Sequence, residues 1–232
     1  MFDAIARRYD LLNRVLSLGL DQRWRRQTAQ ALPLAAGARV LDVATGTGDL
    51  ALAILRREPG ARVEGLDPSP RMLELARRKV GAARAAESIR LGEGEAAQIP
   101  FPDDSFDAVC MAFGMRNLAD RKRALAEMAR VTKPGGRVAV LELIEPTRGA
   151  LAPLARFHIR RLVPLIGGRL SGPREYDYLQ RSIAAFPEPE SFAAEMREAG
   201  LEVLEWRRLS LGVCGLFVAR PATRTGTEKG TP

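Results

Sequence analysis

The chain has 232 residues, 36 Lys and Arg against 28 Asp and Glu for a formal net charge of +8, one His and two Cys. That length suits one domain of the larger α/β kind, and 28% charged with 6% aromatic residues excludes a disordered chain. A single His with isolated Cys110 and Cys214 leaves no cluster for a structural zinc and no disulfide framework, so no metal and a reduced, cytoplasmic compartment are expected. No uncharged apolar run reaches about 18 residues, and Met1-Phe2-Asp3 opens no signal-peptide pattern, so neither a spanning helix nor a signal peptide is expected.

In chain order, residues 1–32 read as helical, with an apolar stripe through Leu11, Leu12, Val15 and Leu16. Val40-Leu41-Asp42-Val43 is a first strand running into Gly-rich sequence, and residues 49–57 have helical spacing. Val63–Leu66 is a second strand, after which Ser69-Pro70 opens a helix with Ser as N-cap and Pro at the first helical position. A third strand near Ser88–Leu91 and a fourth at Phe106–Ala112 precede a helix from about Asp120 to Val131, which Pro134-Gly135-Gly136 should break before a fifth strand, Val138–Leu143. This alternation predicts an α/β fold with a doubly wound, mostly parallel sheet. Residues 148–187 interrupt it with helical sequence around Pro164–Gly168. A helix over Glu190–Glu198 and strands over Leu201–Trp206 and Leu211–Val218 follow, and the tail 221–232 is expected to be disordered. Residues 1–220 thus read as a single domain.

The basicity is local. Residues 1–30 hold six Arg and three Asp, a net of +3, and residues 148–181 hold seven Arg with Glu175 and Asp177, a net of +5. Two readings stay open at this point: an anionic partner or surface, or an Arg-rich composition (32 Arg, four Lys) that clusters by chance.

The loop after the first strand, Asp42-Val43-Ala44-Thr45-Gly46-Thr47-Gly48-Asp49, lets backbone approach a ligand closely at the start of a helix. Twenty-one residues past Gly46, Asp67 ends the second strand, where a carboxylate can accept from both ribose hydroxyls. Gly46-x-Gly48-x-x-Ala51 also satisfies the dinucleotide fingerprint, so a nicotinamide-dependent oxidoreductase is an alternative. Asp42 before the glycines, the stretch Gly94–Phe101 leading to Asp103–Asp107, and Pro134-Gly135-Gly136 together resemble the class I S-adenosylmethionine-dependent methyltransferases, with Ala44 in place of their first Gly. The resemblance implies a Rossmann-like sheet of seven strands and a cofactor site at Asp42, Thr45, Gly46, Thr47, Gly48, Asp67, Glu95, Ala96 and Ala112, with Glu95 accepting from the adenine amino group. A cationic sulfonium with ribose and adenine donors suits carboxylates rather than phosphate-binding groups.

A closer match lies outside that loop. Tyr9–Trp24, Phe113-Gly114-Met115-Arg116-Asn117, Arg130–Glu142 and Tyr176–Pro187 resemble, in order, the signatures of the ubiquinone/menaquinone biosynthesis C-methyltransferases. The likeness runs from Phe2 to about Val218, with departures at Asp21, Ile144 and Phe217, where many members have His, Ser and His. It implies S-adenosylmethionine as methyl donor and a lipophilic prenylated quinol as substrate, most simply demethylmenaquinol. The benzoquinol of ubiquinone biosynthesis is the alternative, disfavoured because the chain opens directly on the signature helix. In this reading 1–32 is a lid and 148–187 a substrate-side and membrane-side insertion.

Carbon methylation needs the ring hydroxyl, with a pKa of about 10, to ionise, and a nearby cation favours the anion. Arg116 is therefore expected to stabilise the quinolate and Asn117 to orient the hydroxyl or a water, with Tyr9 and Tyr176 lining the substrate cleft. The alternative for Arg116 is an ion pair with a lid carboxylate such as Asp10. His158, in an Arg-rich helical stretch, and Cys110, on the fourth strand, read as structural residues. A nucleic-acid methyltransferase is disfavoured because Ala112-Phe113-Gly114-Met115 stands where an Asn/Asp-Pro-Pro-aromatic loop would receive a flipped base. Arg148, Arg156, Arg160, Arg161 and Arg169 are instead expected to dock on anionic lipid, placing the enzyme in the cytoplasm and on the membrane face. A homodimer is compatible with this reading.

Overall fold

The computed structural model describes residues 14, 17, 19–146 and 173–223, with no side-chain detail for 173–176. Tyr9, Asp10, His158, the Arg148–Arg169 group and the tail from 224 lie outside the described residues, as does the side chain of Tyr176. Seven strands form one sheet in the order β3-β2-β1-β4-β5-β7-β6: β1 (Arg39–Val43), β2 (Arg62–Asp67), β3 (Ile89–Glu93), β4 (Phe106–Ala112), β5 (Thr132–Leu143), β6 (Leu201–Leu209) and β7 (Cys214–Pro221). The first five run parallel, and β7 enters antiparallel between β5 and β6. The expected α/β, doubly wound, mostly parallel sheet is therefore observed.

A strand covered on both faces must be apolar at every position. In β1 all residues after Arg39 are buried, and in β4 five of seven in a row are. On one face Val40, Ala108, Cys110, Ala139 and Leu141 pack with Trp24, Leu50 and Val80 from α1 (Leu20–Gln30), α2 (Asp49–Arg57) and α3 (Pro70–Ala82). On the other, Leu41, Val109, Met111, Val140 and Phe217 pack with Leu125 and Phe192 from α4 (Arg121–Val131) and α6 (Pro189–Glu198). The remaining described helix, α5 (Pro173–Ala184), lies against the 3₁₀ turn Met115–Asn117 that follows β4. Among the described residues no helix is long and apolar enough to cross a membrane.

Ser69 and Pro70 act as expected: the Ser69 hydroxyl accepts from the Met72 N–H at 3.2 Å, with Pro at the helix start. Two boundaries differ from expectation. Pro134-Gly135-Gly136 does not separate α4 from β5: the helix ends at Val131 and the strand begins at Thr132. Phe106 pairs with Thr132 but Ala108 with Arg137, so the Pro-Gly-Gly residues bulge out of a strand already under way. The last strand starts at Cys214 rather than Leu211, because Ser210, Leu211 and Gly212 take φ values of 47°, 59° and 86° and turn the chain between β6 and β7. The Trp24 indole N–H donates to the Ser210 hydroxyl at 2.8 Å, tying that turn to α1.

Candidate active site

Strand order reverses at β1, which has β2 on one side and β4 on the other. Ligands in open α/β sheets bind at the carboxyl ends of the strands at such a point. A cavity of about 310 Å³ lies there, lined by Ala44 and Gly46 after β1, Asp67 and Pro68 after β2, Met72, Glu95–Ala97, and Ala112–Gly114 with Asn117–Asp120 after β4. Gly46, Asp67, Glu95, Ala96, Ala112 and Asn117 were expected at this site. Phe113, Gly114 and Leu118–Asp120 were not assigned to it, although Phe113 and Gly114 stand in a quoted signature.

The loop is held from below. Asp42 Oδ2 accepts from the Thr45 hydroxyl at 2.7 Å and from the Ala51 N–H at 3.1 Å. Burial pushes the Asp42 carboxyl up to about 7, against the pull of the Thr45 hydroxyl and the Arg25 guanidinium. Gly46 and Gly48 take φ of 58° and 81°, a left-handed backbone that glycine adopts without strain. Lys79 on α3 donates to Thr47 Oγ1 and Asp49 Oδ1, each at 2.8 Å, and Gln22 on α1 donates to Asp49 Oδ2 at 3.1 Å. Asp42, Thr45, Thr47 and Gly48 thus sit in or under the loop and shape it, outside the cavity lining.

Asp67 bridges two backbone donors. Gly46 N–H donates to its Oδ2 at 2.8 Å and Ser69 N–H to its Oδ1 at 2.9 Å. An ionised carboxylate accepts at both oxygens, and Asp67 stands in the lining of the cavity. Glu95 is exposed on a short turn closed by Gln98 N–H donating to its carbonyl at 3.1 Å. Its side chain can reach a ligand without leaving a buried charge.

After β4, Phe113 (φ 62°) reverses the chain into the 3₁₀ turn carrying Arg116 and Asn117. Arg116 Nη1 donates to Glu142 Oε1 at 2.5 Å and to the Phe113 carbonyl at 2.8 Å, and its backbone N–H donates to Glu142 Oε2 at 3.0 Å. Glu142 is fully buried and Arg116 nearly so. A carboxylate partner of Arg116 is therefore on β5, Asp10 lies outside the described residues, and Arg116 is not among the described residues that line the cavity. Asn117 Nδ2 donates to the Phe113 carbonyl at 3.2 Å, and Asn117 Oδ1 accepts from the Tyr178 hydroxyl of α5 at 3.0 Å. Glu142 and Tyr178 stand in the Arg130–Glu142 and Tyr176–Pro187 signatures but carry no site role from sequence, because their partners lie 26 and 61 residues away.

Cys110 lies in the core, as expected, with burial raising its thiol well above the ordinary range. Ile144 and Phe217 are also core residues. Asp21 is buried and accepts from the Ser17 hydroxyl at 3.0 Å and from Gln22 at 3.2 Å.

The donor set fits an adenosine-bearing sulfonium. Asp67 lies beside the glycine loop, Glu95 borders the same cavity, and no Lys or Arg is among the described residues that line it. The sheet, the switch-point cavity and this chemistry define the class I methyltransferase type.

Comparison with known proteins narrows the class. Residues 1–220 match the ubiE/COQ5 methyltransferase family. The chain is 48% identical over 219 residues to the demethylmenaquinone methyltransferase of Deinococcus radiodurans, covering 94% of this chain and 90% of that protein. It is 49% identical over 219 residues to the demethylmenaquinone methyltransferase of Thermus thermophilus, covering 94% and 98%. A crystal structure of a SAM-dependent methyltransferase from Aquifex aeolicus shares the fold at a TM-score of 0.62 and 20% identity, over 84% of this chain and 88% of that one. The chain belongs to the ubiE/COQ5 methyltransferase family and is a methyltransferase of the S-adenosylmethionine-dependent kind. The nicotinamide alternative finds no support in these relatives.

Proposed function

We propose that the protein methylates a ring carbon of a prenylated quinol, converting demethylmenaquinol to menaquinol. The observation that carries this is the cavity joining Asp67 to Asn117 along apolar walls. It offers a ribose acceptor at one end and an oriented amide at the other, with room between them for an apolar ring. The names of the two relatives support the substrate.

S-adenosylmethionine supplies a methyl group on a sulfonium, which leaves its bonding pair on sulfur as the new carbon–carbon bond forms. Asp67 would accept from the ribose hydroxyls, Glu95 would accept from the adenine amino group, and the Gly46–Gly48 backbone would admit the amino-acid chain that leaves the other end of the ribose. Asn117, its Oδ1 already accepting from Tyr178, presents its amide to the quinol hydroxyl. Arg116 favours the quinolate through its positive field, but Glu142 cancels much of that field, so its larger effect is to hold the turn that carries Asn117. Ring aromaticity returns when the proton on the methylated carbon is lost to a base or water. Tyr9 and Tyr176 complete the substrate side, and the basic groups at 148–169 hold the protein at the cytoplasmic membrane face, where the isoprenoid resides.

The test is direct: incubate purified protein with methyl-labelled S-adenosylmethionine and reduced demethylmenaquinone, then identify the product. Label on the naphthoquinol ring is expected. Label on a benzoquinol precursor alone would move the substrate to the ubiquinone route, and label on neither would overturn the reading.

A further inference from the structure

Arg25 of α1 is one of the few charged side chains buried to 5% exposure or less. Its buried Nε finds no hydrogen-bond partner among the described residues. The nearest carboxylate oxygen recorded for it is Asp21 Oδ2 at 4.0 Å, outside hydrogen-bond reach. The guanidinium carbon lies 4.9 Å from the centre of the Phe113 ring, over its face. A buried cation without a bonded anion is costly, and the ring face recovers only part of that.

Its position is informative. Phe113 follows β4 and lines the cavity. The Arg25 charge is felt by Asp42 at the end of β1, by Asp49 at the start of α2 and by Cys214 at the start of β7, in each case secondary to burial. The guanidinium therefore stands above the carboxyl edge of the sheet, between the cofactor loop and the β4 exit. Among the described residues nearby, Lys79 pairs with Asp49 and Arg116 with Glu142. Asp42 and Asp49 accept hydrogen bonds from Thr45 and Ala51 and from Lys79 and Gln22.

If Asp67 and Glu95 take the adenosine half of S-adenosylmethionine, the amino-acid half runs the other way, along Ala44 and Gly46 toward Phe113 and Gly114. That end carries an α-carboxylate. We infer that Arg25 is the cation that receives this carboxylate, so α1 contributes a cofactor-recognition residue. The assignment rests on the S-adenosylmethionine reading and adds a specificity element to it: discrimination for the amino-acid carboxylate over adenosyl sulfur compounds that lack one. It also couples α1 to the cofactor loop, since α1 carries Arg25 and the Gln22 contact to Asp49 together.

The test pairs a side-chain change with a ligand change. Binding of S-adenosylmethionine and of its decarboxylated analogue is measured by calorimetry on wild type, Arg25→Met and Arg25→Lys. Wild type should prefer the carboxylated ligand by about 10- to 100-fold, the range of a charge-assisted hydrogen-bonded contact. Arg25→Met should lose that preference by weakening S-adenosylmethionine while leaving the decarboxylated analogue within about twofold, with Arg25→Lys in between. Equal weakening of both ligands would make Arg25 a packing residue and overturn the inference, as would no weakening of either. Should Arg25→Met fail to fold, wild type and Arg25→Lys still decide: indifference of both to the carboxylate overturns it. A wild type that binds neither ligand would instead overturn the methyltransferase reading and take the assignment with it.

Discussion

Ala44 stands in the place of the first glycine of the class I loop pattern, and it adopts φ 54° there. A left-handed alanine costs about 1–2 kcal/mol, so something nearby must give room for its Cβ. Gly114, across the loop after β4, is that something. A Cβ built on Gly114 would meet the Ala44 Cβ at 2.9 Å and the Met111 sulfur at 3.1 Å. The two positions are coupled through one methyl group, and both face the cavity. Gly114→Ala should lose about 1–3 kcal/mol of stability by overpacking and weaken cofactor binding. Adding Ala44→Gly should recover most of that loss, because only the flexible Met111 side chain remains in the way. Urea unfolding of the two single variants and the double variant checks it. A double variant no more stable than Gly114→Ala would show that the contact does not set the constraint.

At the scale of elements, the 3₁₀ turn after β4 is clamped from two sides. Glu142 of β5 holds Arg116 from within the sheet, and Tyr178 of α5 holds Asn117 from above. The Tyr178 hydroxyl donates to Asn117 Oδ1, which fixes the amide so that it donates to the Phe113 carbonyl. Tyr178→Phe removes one hydrogen bond, worth about 1 kcal/mol, and frees the amide to rotate. We expect kcat to fall roughly fivefold with the KM for S-adenosylmethionine unchanged, because the proposed function gives Asn117 the quinol rather than the ribose. Steady-state kinetics with each substrate varied in turn separates these effects. A fall confined to KM for the methyl donor would place Asn117 on the cofactor instead. The clamp was only half legible beforehand: Arg116 and Asn117 stand in a quoted signature, but partners on β5 and α5 meet them only once the sheet and the helix are assembled.

For the whole molecule the unexplained quantity is the charge of +8. The proposed methyl-donor contacts are carboxylates apart from Arg25, so on that reading most of the charge serves something else. With a lipophilic substrate, basic side chains near an anionic surface add about 1 kcal/mol each to attachment. Flotation with vesicles containing anionic lipid should carry the protein at low salt. It should release it as the screening length shrinks from about 10 Å at 0.1 M to 3 Å at 1 M. Replacing Arg156, Arg160 and Arg161 by Glu should weaken flotation while leaving S-adenosylmethionine binding intact. Flotation indifferent to salt and to lipid charge would remove electrostatic docking from the proposal.

The sequence alone determined the alternation of strand and helix, the Gly46–Gly48 loop, the Asp67 acceptor and the Ser69-Pro70 helix start. Each is written in neighbouring residues: apolar runs, glycines at a turn, a cap next to a proline. Tertiary structure decided which side chains meet across distant segments. It placed Thr132 in β5 ahead of the Pro-Gly-Gly bulge, because pairing with Phe106 outweighs the local turn signal. It set Glu142 against Arg116, Tyr178 against Asn117, Gly114 against Ala44 and Arg25 over Phe113. Those contacts depend on the order in which strands lie side by side, β1 next to β4 and β4 next to β5. No local pattern encodes that order; it follows from burying both faces of the sheet at once.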